Sequence, residues 1–345
     1  MNRYFYSLLA WLVLLETSAL ADDPTPPTWM SDGVFAWTAS APLLAADPNA
    51  AEPEVALKDP TFVLVDGRWH LFVTHRRASG VVDMQYLSFA DWGHANAATR
   101  TRLPLHDEQY HCAPQVFWYA PQKQWYLIFQ LADEKQKLRF GPSYSTTQTI
   151  GEPSSWSQPK PMFTESPDGT PQPNWIDFWV ICDAAKAHLF YTSDDGNFWR
   201  CETTRTSFPL GWSQPELVMS DHKNELFEAS HTYKLKGYNQ YLTLIEAIGP
   251  RGRYYKAWLA ERLEGPWKPL ATTLQKPFAS FENVTQTSSW TTSISHGELI
   301  RSGNDETLEV DPNDLRFVFQ GVAEGAGTNG YGSIPWRLGM LEFNQ

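Results

Sequence analysis

A strand–turn–strand unit recurs five times along this chain of 345 residues, and the recurrence limits the folds open to it more than any other feature. "DPTFVLVDGRWHLFV", beginning at Asp59, is the first copy: an apolar run, an Asp-Gly turn and an aromatic-rich run. "APQVFWYAPQKQWYLIFQ", "DFWVICDAAKAHLFYTS" and "EASHTYKLKGYNQYLTLIE" repeat it, and "HGELIRSGNDETLEVDPNDLRFVFQG" is a fifth copy with a longer insertion. Each first strand is a continuous apolar run, as expected for a strand buried on both faces. Helical periodicity is scarce. Similar β units at a period of roughly 50 to 70 residues predict an all-β chain folded as a five-bladed β-propeller. A jelly roll, the competing all-β class, gives no reason for one motif to occur five times.

The first strands start at Asp59, Gln115, Asp177, Glu228 and His296, spaced 56, 62, 51 and 68 residues apart. In a propeller the innermost strands all begin at one end of the central channel, so these five side chains are expected to ring one mouth of it. Clustered carboxylates repel and spread one another's pKa values. That is the equipment of acid–base cleavage of a glycosidic bond, in which one acid protonates the leaving oxygen and one carboxylate activates water or attacks carbon. Glu246, on the apolar stretch "TLIEAIG", is a second candidate for the acid or a buried partner of it. Asp194-Asp195-Gly196 reads as a turn.

The remaining composition narrows the partners. Lys plus Arg is 27 against 39 Asp plus Glu, a net charge of −12 without a basic stripe, which argues against nucleic acid and anionic membrane and suits a neutral substrate. The start, MNRYFYSLLAWLVLLETSALADD, has a positive Arg3, an apolar run from Leu8 to Leu15, and Ala19-Leu20-Ala21 before Asp22. That is the layout of a secretory signal peptide over residues 1–21. Residues 22–34 then form a short Pro-rich lead-in and 35–345 the propeller, with no separate carbohydrate-binding module. Three cysteines, Cys112, Cys182 and Cys201, are an odd number, so this is not a disulfide scaffold. Asn283-Val284-Thr285 is the single glycosylation sequon.

"ALKDP", "APQVFWYAPQKQWYL", "WIDFWVICD", "LFEAS", "IEAIGPRGRYYKAW", "ISHGELIRSG" and "PWRLG", in this order from about Phe35 to Leu341, resemble the α-L-arabinofuranosidases of glycoside hydrolase family 62. The resemblance implies a five-bladed propeller, anomeric inversion, and arabinose side chains of arabinoxylan or arabinan, including arabino-oligosaccharides, as substrate. Carried over by motif, Asp59 of "KDP" matches the general base, Glu228 of "FEAS" the general acid, and Asp177 of "WIDFW" the carboxylate that orients the acid and raises its pKa. His296 of "SHGE" matches the histidine beside a channel calcium held largely by water, a structural ion. Lys58 and Tyr331 match sugar-contacting positions, and Gln115 a ring position on the metal side, counted here with the substrate-binding residues. The chain departs from the family at Cys112, where a small residue is usual, and at Gly332 after Tyr331, where Asn is usual. Pro161 to Asn174 reads as a variable loop over the cleft. A related propeller β-xylosidase or arabinanase shares the three carboxylates but not the full motif set, and a sugar-binding propeller without catalysis would tolerate their loss. The expected protein is a secreted monomer, and N-terminal sequencing of the exported product is expected to start at Asp22; a product that still begins at Met1 would refute the leader.

Overall fold

The structure is a computed structural model that describes Met1 and residues 25–105, 110–132, 140–167, 169, 174–326 and 329–344. The signal-peptide reading, with the first residues of the lead-in, lies outside the described residues. Five sheets surround a central axis, giving an all-β, five-bladed propeller. Blade I is built from Glu54–Val65, Arg68–Arg77, Val82–Phe89 and Thr101–Arg102; blade II from His111–Tyr119, Gln124–Ala132, Phe140–Thr147 and Lys160–Pro161. Blade III comprises Ile176–Cys182, Lys186–Thr192, Asn197–Thr204 and Glu216–Ser220, and blade IV Glu228–Leu235, Tyr241–Ile248, Arg253–Ala260 and Lys268–Thr273 with the short Lys276–Pro277. Within each of these the strands pair antiparallel in chain order.

Blade V closes the ring with both ends of the chain. Ser295–Leu299, Arg316–Gly321 and Arg337–Phe343 are joined by Trp37–Ala39, which pairs antiparallel with Arg337–Phe343 and parallel with Val284–Gln286. The described part of the lead-in packs too: Trp29 is fully buried and its Nε1 donates to Pro312 O at 2.9 Å. Asn283 stands next to this closure with its carboxamide engaged. Its Nδ2 donates to the carbonyls of Phe35, Pro277 and Phe278, and its Oδ1 accepts from Ser280 N, so the sequon asparagine acts as a strut.

The long insertion of the fifth unit seals the channel end away from the strand starts. Arg301 donates to Phe62 O and Val116 O, and Asn304 bridges Leu64 O and Trp118 N. Glu306 O accepts from Cys182 N, and Glu309–Val310 pairs parallel with Lys234–Leu235. One segment thus ties blades I to IV. Cys112, Cys182 and Cys201 are all buried and free.

Each innermost strand carries a bulge near its start, seen as a register shift between Lys58 and Thr61, Cys112 and Gln115, Ile176 and Trp179, Glu228 and His231, and Ser295 and Gly297. In the first four the bulged residue is left-handed: Asp59 (φ 50°), Ala113 (φ 52°), Asp177 (φ 55°) and Ala229 (φ 51°). Such a conformation costs a non-glycine residue energy and re-aims its neighbours' side chains. Asp59 and Asp177 are therefore equivalent by structure, Glu228 is equivalent to Lys58, and Gln115 lies two residues past its bulge.

That offset corrects the expectation for Gln115. Its side chain is fully buried; Nε2 donates to Val180 O and Oε1 accepts from Val180 N, both at 2.7 Å. It pairs with the edge of the next blade's inner strand as a strand would, and it does not line the pocket at the strand starts. Gln115→Met keeps the length but orphans both groups, and is expected to lower the unfolding free energy by about 1–3 kcal/mol in urea denaturation; unchanged stability would refute the strut.

Candidate active site

The bulges converge on a pocket of about 250 Å³ at the start of the inner strands, below the roughly 300–1,000 Å³ usual for drug-sized ligands and on the scale of one small sugar. Lys58, Asp59, Asp177, Glu228, His296 and Tyr331, six of the seven residues expected from sequence, line it. Arg253, Cys112, Gln130, Gln320, Tyr110 and Phe227 join them. Arg253 lies inside the motif "IEAIGPRGRYYKAW" and Cys112 immediately precedes "APQ", but neither has a role legible in sequence, since neither the partner of a strand-start arginine nor the facing of a cysteine is written locally.

Two acids flank one imidazole. His296 Nδ1 is 3.4 Å from Asp59 Oδ1 and 3.6 Å from Asp177 Oδ2. Asp59 Oδ2 is 3.6 Å from Lys58 Nζ, and its backbone N–H donates to Gln320 Oε1. Asp177 Oδ2 accepts from Ala229 N at 2.8 Å, which ties it to the residue after Glu228. Lys58 Nζ donates to Tyr331 OH at 3.1 Å, and the half-exposed Tyr331 ring forms part of the rim. Beside it, a Cβ added at Gly332 would meet the Arg76 guanidinium at 2.4 Å, so an arginine side chain occupies that space.

Electrostatics separate the three carboxyls. Burial by itself would raise the Asp59 pKa, but the positive charge of Lys58 and His296, the Thr74 hydroxyl and Arg253 outweigh it and hold Asp59 below the usual carboxylate value. Asp177 is pushed up to about 7 by burial and by the charge of Asp59, against the Ala229 hydrogen bond. Glu228 rises to about 8: burial dominates, Arg253 opposes it, and Asp177 and Glu246 add to it. Near neutral pH one carboxyl is ionised and another protonated within a single pocket.

Glu246 is a buried partner. It lies opposite Glu228 in register and is fully buried; Oε2 accepts from Ser295 Oγ and His296 N, and Oε1 from Arg253 at 2.7 Å. Both of its oxygens are engaged, and Glu228 alone of the two lines the pocket.

Below the pocket the channel offers few metal ligands. The His231 ring packs 5.1 Å from that of His296, and its buried Nδ1 has no protein partner. Glu298 is paired with Arg301 at 2.7 Å. Among the described residues the one group of three ligand side chains near enough to cage an ion is Asp183, His188 and Glu264, away from this pocket. Calcium takes six to eight oxygen ligands, so these residues fit it only with water supplying most of the shell.

The sequence profile of glycosyl hydrolase family 62 matches residues 36–342. The chain belongs to this family. It is 37% identical over 314 residues to α-L-arabinofuranosidase C of Cellvibrio japonicus, covering 90% of this chain and 47% of that protein, so it spans about half the length of that relative. Among solved structures, the catalytic domain of a family 62 α-L-arabinofuranosidase from Coprinopsis cinerea is 39% identical with a TM-score of 0.83, over 90% of this chain and 98% of that one. A family 62 hydrolase in complex with xylotriose is 36% identical with a TM-score of 0.82, over 91% and 99%.

Family membership and the charge pattern give a pH prediction. With Glu228 as the proton donor and Asp59 as the base, the roles that the family resemblance implies, the protonated form of Glu228 would be lost as pH rises through its pKa and set the alkaline limb, and ionisation of Asp59 would set the acid limb. Asp177→Asn removes a negative neighbour, makes Glu228 easier to ionise, and is expected to move the alkaline limb of kcat/KM to lower pH. A limb that stays in place would show that Asp177 does not tune Glu228.

Proposed function

We propose that the chain is a secreted, inverting α-L-arabinofuranosidase that removes arabinofuranosyl side chains from arabinoxylan. The observation that carries this reading is the opposite tuning of Asp59 and Glu228 in one sugar-sized pocket. Asp59, the base, takes a proton from water, and the oxygen of that water bonds to the anomeric carbon from the face opposite the leaving sugar. Glu228 gives its proton to the glycosidic oxygen as the carbon–oxygen bond breaks. Asp177 keeps Glu228 protonated, while Lys58 and Tyr331 orient the ring. Calcium, when bound through His296 and water, would supply positive charge at the base of the pocket. Secretion rests on the leader layout, and the xylan backbone on the xylotriose held by the related hydrolase.

The test is release of arabinose from arabinoxylan, followed by chromatography, with proton NMR of the first-formed sugar. The β-anomer is expected; an initial α-anomer would mean retention and would make Asp59 a nucleophile. Asp59→Asn is expected to cut turnover by about 10²–10⁴ in a folded protein, and near-normal activity would end that assignment. Exhaustive chelation is expected to lower the melting temperature, and an unchanged value would remove the structural calcium.

A further inference from the structure

Blade IV places two like charges face to face. Glu228 on its first strand lies opposite Glu246 on its second, a pairing that destabilises a sheet when both are ionised. Arg253, which opens the third strand, bridges them: Nη1 donates to Glu228 Oε1 and, at 2.7 Å, to Glu246 Oε1. The guanidinium is boxed by rings, with centroids 4.9 Å away for Phe227 and 5.6 Å for both Tyr331 and Trp336. Glu246 is anchored in turn to Ser295 and to the backbone of His296 in blade V. A continuous path of contacts therefore runs from the pocket carboxyl of Glu228 to a fixed point in the neighbouring blade.

We propose that Arg253 is a positioning residue for the general acid, holding the Glu228 carboxyl over the pocket by tethering it to Glu246. The inference rests on the reading of Glu228 as the acid. Proton transfer needs the carboxyl within about 2.6–3.2 Å of the leaving oxygen, and a glutamate free to rotate spends little time there. Geometry matters as well as charge: both bonds leave Nη1, whose two hydrogens are fixed in a guanidinium plane packed between rings, whereas the ammonium of lysine rotates on a flexible stem. The charged and titratable groups around Glu228 are Arg253, Asp177, Glu246, Lys58 and Tyr331. Of these, Arg253 contacts it directly and opposes its protonation.

The test compares wild type, Arg253→Lys, Arg253→Gln and, as reference, Glu228→Ala on two substrates. One is an arabinofuranosyl-branched xylo-oligosaccharide, whose leaving group needs protonation; the other is a nitrophenyl arabinofuranoside, whose leaving group needs little. Arg253→Lys is expected to lose about 10²-fold on the oligosaccharide and far less on the aryl substrate. In Arg253→Gln the protonated form of Glu228 persists to higher pH, so the alkaline limb is expected to move up. Thermal unfolding is followed alongside, and if Arg253→Gln does not fold, the substrate ratio in Arg253→Lys decides. Equal losses on both substrates, or no loss, would overturn the proposal. If Glu228→Ala is selective between the substrates and the Arg253 variants are not, the tether falls and the acid assignment stands. If Glu228→Ala itself loses equally on both, the acid assignment falls and the tether with it.

Discussion

The innermost strand of a propeller blade has one edge facing the axis, where no further strand can pair with it. Its N–H and C=O groups are cut off from water by the packed channel, and a buried orphan costs about 1–3 kcal/mol. In this protein the preceding blade supplies the partner each time. Gln320 of blade V takes Asp59 N, Thr74 and Thr61 of blade I take Ala113 N and Val116 N, and Gln115 of blade II takes Val180 N. Asp177 of blade III takes Ala229 N, and Glu246 of blade IV takes His296 N. The five blades are therefore locked in a cycle of side chain to backbone bonds that runs one way round the axis.

Catalytic geometry is built on that cycle. Asp177 raises the Glu228 pKa with its charge while accepting the amide of the residue after Glu228, so one carboxylate sets both the place and the proton affinity of Glu228. Glu246 caps blade V and anchors Arg253. The left-handed bulges at Asp59 and Asp177 are strained positions that the surrounding sheet holds, and strain of this kind persists where the neighbouring structure over-determines it.

Closure supplies the stiffness. Trp37–Ala39 inserts between strands from the other end of the chain, and the segment around Arg301, Asn304 and Glu306 crosses the far end of the channel and bonds to four blades. A ring fastened at its seam and across one end leaves the open mouth as the place where a ligand can enter.

Much of this was legible in the sequence. Apolar runs joined by tight turns repeat locally, because strand burial and turn chemistry act over a few residues, and the repeat is enough to specify five blades. Asp59, Asp177, Glu228, Lys58, Tyr331 and His296 were readable from motifs that keep residue type and order, and all six line the pocket. Gln115 was misplaced because a strand start read from sequence does not reveal its bulge, and a slip of two residues turns a pocket ligand into an interblade strut. Arg253 and the anchoring role of Glu246 were decided only by tertiary structure. Their partners lie on other strands or in another blade, and what fixes a buried charge is the set of groups brought around it once water has been excluded.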